Sequence, residues 1–334
     1  MAGRRTNLAL FGFLVAAVVT GAAAFGAGTE RGAWLVIIHG AVGLAIVLLS
    51  PWKSVIARRG LARRRSGTPT SLLLTLMVVV CLAAGIVHAT GTARSLGLVT
   101  AMQVHVGAAL LAVPLAIAHV RVRPTRVRPS DASRRQLLKL GALAAGSSAA
   151  YFAVEGLTSA LALPGRSRRF TGSYERGSLF PDDMPVTQWL DDSVPLIDVE
   201  RWVLRVHDGR GERAWTYADL SSSPVSLRAT LDCTGGWWAM QEWTGVPLRR
   251  LLGQPDGRSV IVTSSTGYRR RFPLVDVDDL LLATQVGGRP LSPGHGAPAR
   301  LVAPGRRGFW WVKWVTRIDV DGAPWWLQSP FPLT

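Results

Sequence analysis

Residues 228–252 read RATLDCTGGWWAMQEWTGVPLRRLL. A β-like run ends at Cys233, a Gly-Gly turn follows, and a tryptophan-rich run leads away, which is the pattern of a hairpin. Cys233 is the only cysteine in the C-terminal half. The other one, Cys81, lies inside a long apolar segment, which argues against a disulfide between them. An unpaired thiol in a polar domain is either inert core or a thiolate with a chemical role.

A second stretch, residues 291–320, reads LSPGHGAPARLVAPGRRGFWWVKWVTRIDV. In order and spacing the two stretches resemble the molybdopterin domain of the sulfite oxidase family, over roughly residues 180–325. The resemblance implies that Cys233 is the protein's thiolate ligand to molybdenum. It also implies that His295, Arg300 and Lys313 help to hold an anionic molybdopterin. Lys313 is the only lysine in this half of an arginine-rich chain, so a specific requirement is expected there. An arginine binds phosphate as a planar fork and a lysine as a point charge. The pattern also departs from sulfite oxidases, which place an arginine shortly after the cysteine. Here Thr234, Gly235, Gly236, Trp237 and Trp238 follow. This form resembles more closely the bacterial branch that includes methionine-sulfoxide reductases. Aromatic walls favour a neutral or apolar-flanked small-molecule substrate. Tyr268 and Arg270, in YRRR, are candidate catalytic residues, with Tyr268 as a proton donor in the pocket; a hairpin with solvated arginines is the plain alternative.

From Arg201 onward, Val, Ile, Thr and Trp runs with Gly/Pro punctuation predict an α+β, mainly β domain. Expected strands include RWVLRVHDG, SLRATLDC, RSVIVTSSTG and ARLVAPG, with short helices near Thr216–Leu220 and Pro247–Leu252. The sequence carries no G-x-x-x-x-G-K-[ST], C-x-x-C, H-E-x-x-H or G-x-S-x-G. Phosphate-loop ATPases, zinc peptidases and α/β-hydrolases therefore lack their minimal residues.

The other half reads as membrane. Five segments are long and apolar enough to span a bilayer, for which about 20 residues are needed. They run approximately 8–27, 33–50, 71–89, 98–120 and 137–163. The formal charge of +17 does not indicate a nucleic-acid partner. From Gly165 onward 21 basic residues face 18 acidic ones, so the excess lies in short clusters beside the apolar segments. These clusters are Arg4 and Arg5; Lys53, Arg58, Arg59, Arg63, Arg64 and Arg65; and Arg121 through Lys139. The alternate loops hold only Glu30, Arg31 and Arg94. Positive charge of this kind marks the cytoplasmic side, so a multi-pass plasma-membrane protein is predicted, with a cytoplasmic N-terminus and an extracytoplasmic catalytic domain. SRRQLLKLGALAAG, with Arg134, Arg135 and Lys139, resembles a twin-arginine export signal. Ala160-Leu161-Ala162 resembles a signal-peptidase site. The expected organisation is a four-helix transmembrane domain over 1–130, a fifth span with the export signal over 131–164, and a molybdopterin-binding oxidoreductase domain over 165–334.

Ionisable residues inside a membrane are costly and are functional candidates. His39 and His105 lie at equal depth on different spans, and His88 lies at the outer end of the third. The pair could ligate a b-type haem from both sides, with Gly40, Gly43 and Gly107 leaving room for the macrocycle. This part loosely resembles small cytochrome b anchors. A haem there would exchange electrons with a quinone or an extracytoplasmic carrier. The sequence leads to a molybdopterin-dependent oxidoreductase performing two-electron oxygen-atom transfer, with sulfoxide or similar oxide reduction ahead of sulfite-type oxidation. A non-catalytic, membrane-tethered ligand-binding domain is the rival. A transporter fits poorly, because Glu155 is the only acid within the spans.

Overall fold

The computed structural model describes residues 2–61, 67–93, 95–97, 99–188 and 192–329. Arg63, Arg64, Arg65 and Arg94, as well as Leu98 at the expected start of the fourth span, lie outside the described residues. The chain divides into two compact units, Met1–Gly172 and Ser173–Thr334.

The first unit contains five long helices: α1 (Ala2–Gly26), α2 (Ala33–Leu61), α3 (Thr68–Thr90), α4 (Ala101–Val122) and α5 (Arg134–Ala160). All five are long and apolar enough to cross a membrane. Their packing is inverted relative to a water-soluble bundle. Apart from Ile46, the buried positions described are small, among them Ala45, Ala84, Ala101, Ala108, Ala112 and Ala116, the last three recurring every four residues on one face of α4. Large residues such as Val19, Leu76, Leu110, Leu111 and Leu138 point outward. Small residues let helix backbones approach closely, and this inside-out distribution is the one expected of helices packed in lipid.

Helix ends follow local chemistry. Thr100 and Gln103 form a capping box that starts α4, each side chain bonding the other's backbone amide, at 3.1 and 2.8 Å. Gly91, at φ 68°, closes α3 in a left-handed conformation that a side chain would strain. The basic ends gather at one end of the bundle. Arg4 bonds Asp131 at 2.7 Å, Lys53 donates to Asn7 at 2.9 Å, and Ser71 meets His119 at 3.0 Å.

The segment 165–172, expected to begin the C-terminal domain, packs with the helices instead. Gly165 sits so close to Ala89 and Thr90 that a Cβ would fall 2.2 Å from the Ala89 carbonyl oxygen, and Arg168 pairs with Glu155.

The second unit is mainly β. Its strands are β1 (Tyr174–Glu175), β2 (Val203–His207), β3 (Glu212–Thr216), β4 (Val225–Cys233), β5 (Trp237–Pro247), β6 (Ser259–Ser264), β7 (Arg269–Pro273), β8 (Leu281–Val286), β9 (Arg289–Pro290), β10 (Arg300–Val302) and β11 (Val315–Asp321). One sheet has the order β3-β2-β11-β6-β7, in which only β2 and β11 run parallel. The other runs β9-β8-β5-β1, with β10 on β8 and β4 on β5. Short helices α6 (Tyr217–Ser221) and α7 (Leu248–Leu252) stand within a residue or two of where the sequence places them. Leu204, Trp243, Leu251, Val262, Phe272, Leu282, Leu301 and Ile318 are fully buried in the core.

Candidate functional site

The hairpin that opened the reading carries the site. β4 and β5 pair so that Cys233 faces Trp237, and residues 234–236 make the turn. Gly236 takes φ 91°, a conformation glycine adopts without penalty. The turn leaves Cys233 half-buried at the strand end, with its sulfur reached by two protein groups. The Gly235 amide donates to Sγ at 3.3 Å, and the Thr187 hydroxyl lies 3.7 Å away. Burial pushes the thiol pKa up, opposed by the Gly235 amide, Thr187, Arg307 and Lys313.

The backbone beneath the sulfur is fixed by a buried ion pair. Arg307 lies 3.1 Å from Asp232, with side chains 4% and 3% exposed. Arg307 also donates to the Cys233 carbonyl at 3.2 Å, while Ser173 donates to Asp232 at 2.6 Å. Gly308 presses on the same spot, since a Cβ there would stand 3.1 Å from the Cys233 Cα. Thr187, Ser173, Asp232 and Arg307 are not among the residues that the family resemblance implies. The adjacency of Asp232 to the cysteine was the one visible signal. Asp232→Asn is expected to destabilise the C-terminal unit by about 3 kcal/mol, because it leaves a buried guanidinium without its counter-charge. Thermal unfolding of the variant checks this.

Cations surround the thiol on the other side. Arg300, on β10, is 2% exposed, donates to the His295 carbonyl at 3.0 Å and stacks over Trp243 and Trp311 at 5.2 and 5.7 Å. Burial lowers its pKa to about 10, against a pull upward from Cys233. Its Nε has no hydrogen-bond partner, and no carboxylate pairs with it among the described residues. Lys313 donates to the Thr187 carbonyl, Gln188 and the Gly294 carbonyl at 2.9, 3.1 and 2.6 Å. Burial first, then Arg300, brings its pKa down to about 7. His295 is buried with both ring nitrogens engaged. Nε2 lies 3.0 Å from the Met184 carbonyl and can only donate to it, so Nδ1 accepts from Ser292 at 2.9 Å. Burial, followed by Arg300, lowers its pKa. His295 thus anchors residue 184 through its ring and Arg300 through its carbonyl. It also lines a cleft of about 310 Å³ with Met184, Val186, Arg289 and Ser292.

Tyr268 and Arg270 stand behind the thiol's loop. Tyr268 is buried and its hydroxyl donates to the Phe309 carbonyl, next to the Gly308 that supports Cys233. Burial raises its pKa. Arg270 stacks 4.1 Å over Trp310 and donates to the Ser329 carbonyl at 3.1 Å, with burial lowering its pKa. The Tyr268 hydroxyl is thus engaged with the 308–310 turn, while Arg270, stacked on the same turn, keeps Nε and Nη2 without a hydrogen-bond partner among the described residues. The solvated hairpin is not observed at Arg270 either.

In the helical unit, His39 and His105 meet from α2 and α4, ring centroids 5.8 Å apart and planes at 82°. Nδ1 of His39 lies 3.1 Å from the Ala17 carbonyl and 3.3 Å from Thr20 Oγ1. Nδ1 of His105 lies 2.8 Å from the Cys81 carbonyl. Each ring nitrogen bonded to a carbonyl must carry the proton, which leaves Nε2 as the lone-pair nitrogen in both rings. The glycines that admit these rings are Gly21 and Gly85, where a Cβ would lie 2.9 and 3.0 Å from the rings of His39 and His105. Gly40, expected to leave macrocycle space, receives the Tyr151 ring instead, and Gly43 lies beside Leu82. His88 sits apart from this pairing, against Gly172.

Residues 191–326 match the family model described as the oxidoreductase molybdopterin binding domain. Among curated proteins, mitochondrial sulfite oxidase of Drosophila melanogaster is 27% identical over 176 residues, covering 41% of this chain and 31% of that protein. The methionine-sulfoxide reductase catalytic subunit MsrP of Xanthomonas campestris is 35% identical over 109 residues, 26% of this chain and 34% of that one. An NADH nitrate reductase of Nicotiana tabacum is 31% identical over 97 residues, 23% and 11% of the two. The chain thus spans 34% or less of each of these relatives. Among solved structures, sulfane dehydrogenase SoxCD from Paracoccus pantotrophus aligns over 39% of this chain and 40% of its own, at 27% identity and TM-score 0.37.

Residues 191–326 are a molybdopterin-binding oxidoreductase domain, and the side chains present fit that cofactor. The half-buried thiol of Cys233 is of the soft donor type that would suit the metal. The buried cation Arg300, with an unpartnered Nε and no carboxylate, fits an anionic group.

Proposed function

We propose that the chain is a membrane-anchored, molybdopterin-dependent oxidoreductase that carries out two-electron oxygen-atom transfer, with reduction of a sulfoxide or a similar neutral oxide as its reaction. The observation that carries this reading is the Cys233 sulfur together with two cations that interact electrostatically with it, the buried Arg300, which pairs with no carboxylate among the described residues, and the half-buried Lys313. When bound, the cofactor supplies the two-electron redox change and the exchange of an oxygen atom. The chain's own residues do the rest. Cys233 presents a ligand sulfur, Arg300 offsets the cofactor's negative charge, and Lys313 ties residues 187–188 to the turn at Gly294. Tyr268, Arg270 and His295 set the positions of the loops around that sulfur. Trp237 pairs with Cys233 across the hairpin, and no arginine stands among residues 234–238, which favours an uncharged substrate.

In the same proposal the helices cross the plasma membrane, with the basic cluster at Arg4, Lys53 and Arg121 in the cytoplasm and residues 165–334 outside. Arg134 and Arg135 would direct export of a domain already folded around its cofactor. A b-type haem held by His39 and His105 would pass single electrons between the molybdenum site and a quinone or an extracytoplasmic carrier. Replacing either histidine by alanine is expected to abolish a haem absorption band in detergent-purified protein; a band that survives both changes overturns the assignment of His39 and His105 as its ligands.

Elemental mass spectrometry of the purified chain tests the whole reading. About one molybdenum and one iron per chain are expected. Molybdenum without iron reduces the helices to an anchor. Neither metal, in folded protein from cells that make the cofactor, overturns the proposal. Reduction of sulfoxides with a reduced viologen dye as electron donor then tests the substrate class; oxidation of sulfite by the same preparation, without sulfoxide reduction, would reverse the direction.

A further inference from the structure

Thr187 lies outside residues 191–326, yet it touches the sulfur at the centre of the site. It belongs to a short segment, residues 184–188, tied to the domain by three side chains. His295 donates to the Met184 carbonyl at 3.0 Å, and Lys313 to the Thr187 carbonyl at 2.9 Å. The Trp237 indole donates to Thr187 Oγ1, also at 2.9 Å. Packing closes the same segment down. A Cβ on Gly294 would stand 2.8 Å from Val186, and one on Gly177 would stand 2.5 Å from the Asp183 carbonyl carbon. The Thr187 hydroxyl is therefore a fixed group held 3.7 Å from Cys233 Sγ.

Its hydrogen-bonding capacity decides what it can do there. An indole N–H only donates, so Oγ1 always accepts from Trp237. While Cys233 is a thiol, its S–H can donate to the remaining lone pair of Oγ1. A sulfur ligating a metal has no proton and only accepts. The hydroxyl proton, which Trp237 leaves free, can then turn toward the sulfur, beside the Gly235 amide at 3.3 Å. We infer that Thr187 is a positioning residue whose hydroxyl, oriented by Trp237, donates a hydrogen bond to the metal-bound sulfur of Cys233 and so sets the potential of the molybdenum. This rests on Cys233 being the molybdenum ligand. Hydrogen bonds to a ligand sulfur withdraw electron density from it, weaken its donation to the metal and raise the reduction potential.

The test uses the full cofactor-loaded chain in detergent. Thr187→Val keeps the shape and removes the hydroxyl, Thr187→Ser keeps the hydroxyl, and Trp237→Phe removes the donor that orients it. The readouts are the potential of the molybdenum couple, from a redox titration followed by electron paramagnetic resonance, and the energy of the sulfur-to-molybdenum charge-transfer absorption. Thr187→Val is expected to lower the potential and move the absorption to lower energy, with Thr187→Ser near the parent protein. Trp237→Phe is expected to give a smaller shift in the same direction. A parent-like potential and absorption in Thr187→Val overturn the inference. If that variant fails to load, Trp237→Phe decides on the same criterion. Cys233→Ser separates the two layers: a charge-transfer absorption that persists without the sulfur overturns the ligand assignment itself, whatever Thr187 does.

Discussion

Replacing Cys233 by serine is expected to lower turnover by more than about a hundredfold while leaving the fold and the pterin in place. The magnitude follows from the ligand's role: loss of a group that only supports a metal ligand typically costs 10–100-fold, and here the ligand itself is removed. A serine hydroxyl is a hard, weakly acidic donor in place of a soft thiolate. The fold has little reason to change. The sulfur's contacts are the Gly235 amide and Thr187, and a serine oxygen can keep at least one of these. The surrounding backbone is held by Asp232, Arg307 and Gly308, none of which depends on the sulfur. A stability change within about 1 kcal/mol is therefore expected. Turnover with an artificial electron donor, pterin content and thermal unfolding measure the three parts separately. Unchanged turnover in the serine variant would remove Cys233 as the molybdenum ligand, and absence of turnover in the parent protein would favour a ligand-binding domain.

Much of this was legible in the chain because the signals were local. Each long helix is announced by its own run of apolar residues, and the α4 packing face by small residues every four positions. The β4–β5 hairpin is announced by Cys233, the Gly-Gly turn and the alternation that follows. What sequence could not supply was contact between distant segments. Thr187 reaches Cys233 across 46 positions, and Ser173 reaches Asp232 across 59. Tyr268 is a candidate from its chemistry alone, and only folding reveals that a carbonyl 41 residues away accepts its hydrogen bond. Gly40 shows the same limit in the helices. A small residue beside a histidine signals close approach, but not by what; here it is the Tyr151 ring, while Gly21 and Gly85 admit the histidines.

Arg300 carries the second large expectation, because removing it should act in opposite directions on the two forms of the protein. In the cofactor-free chain its guanidinium is a buried charge without a carboxylate partner, 2% exposed, held by one carbonyl and two indole faces. Burial already depresses its pKa to about 10. A buried charge left so poorly compensated is a cost to folding, and apolar residues of similar volume often replace such groups with a gain of 1–4 kcal/mol. Arg300→Met is thus expected to raise the stability of the cofactor-free protein by about 1 kcal/mol or more, less whatever is lost with the stacking on Trp243 and Trp311. The same change removes the buried cation that offsets the cofactor's negative charge, so molybdenum and pterin per chain should fall at least tenfold. Arg300→Lys should sit between the two in cofactor content, since it keeps a point charge but loses the planar fork. Unfolding of the cofactor-free variants and molybdenum content of the loaded ones make the comparison. A variant that is both less stable without cofactor and fully loaded with it would mean that Arg300 is a packing residue, and that the anion is held by Lys313 and backbone donors alone.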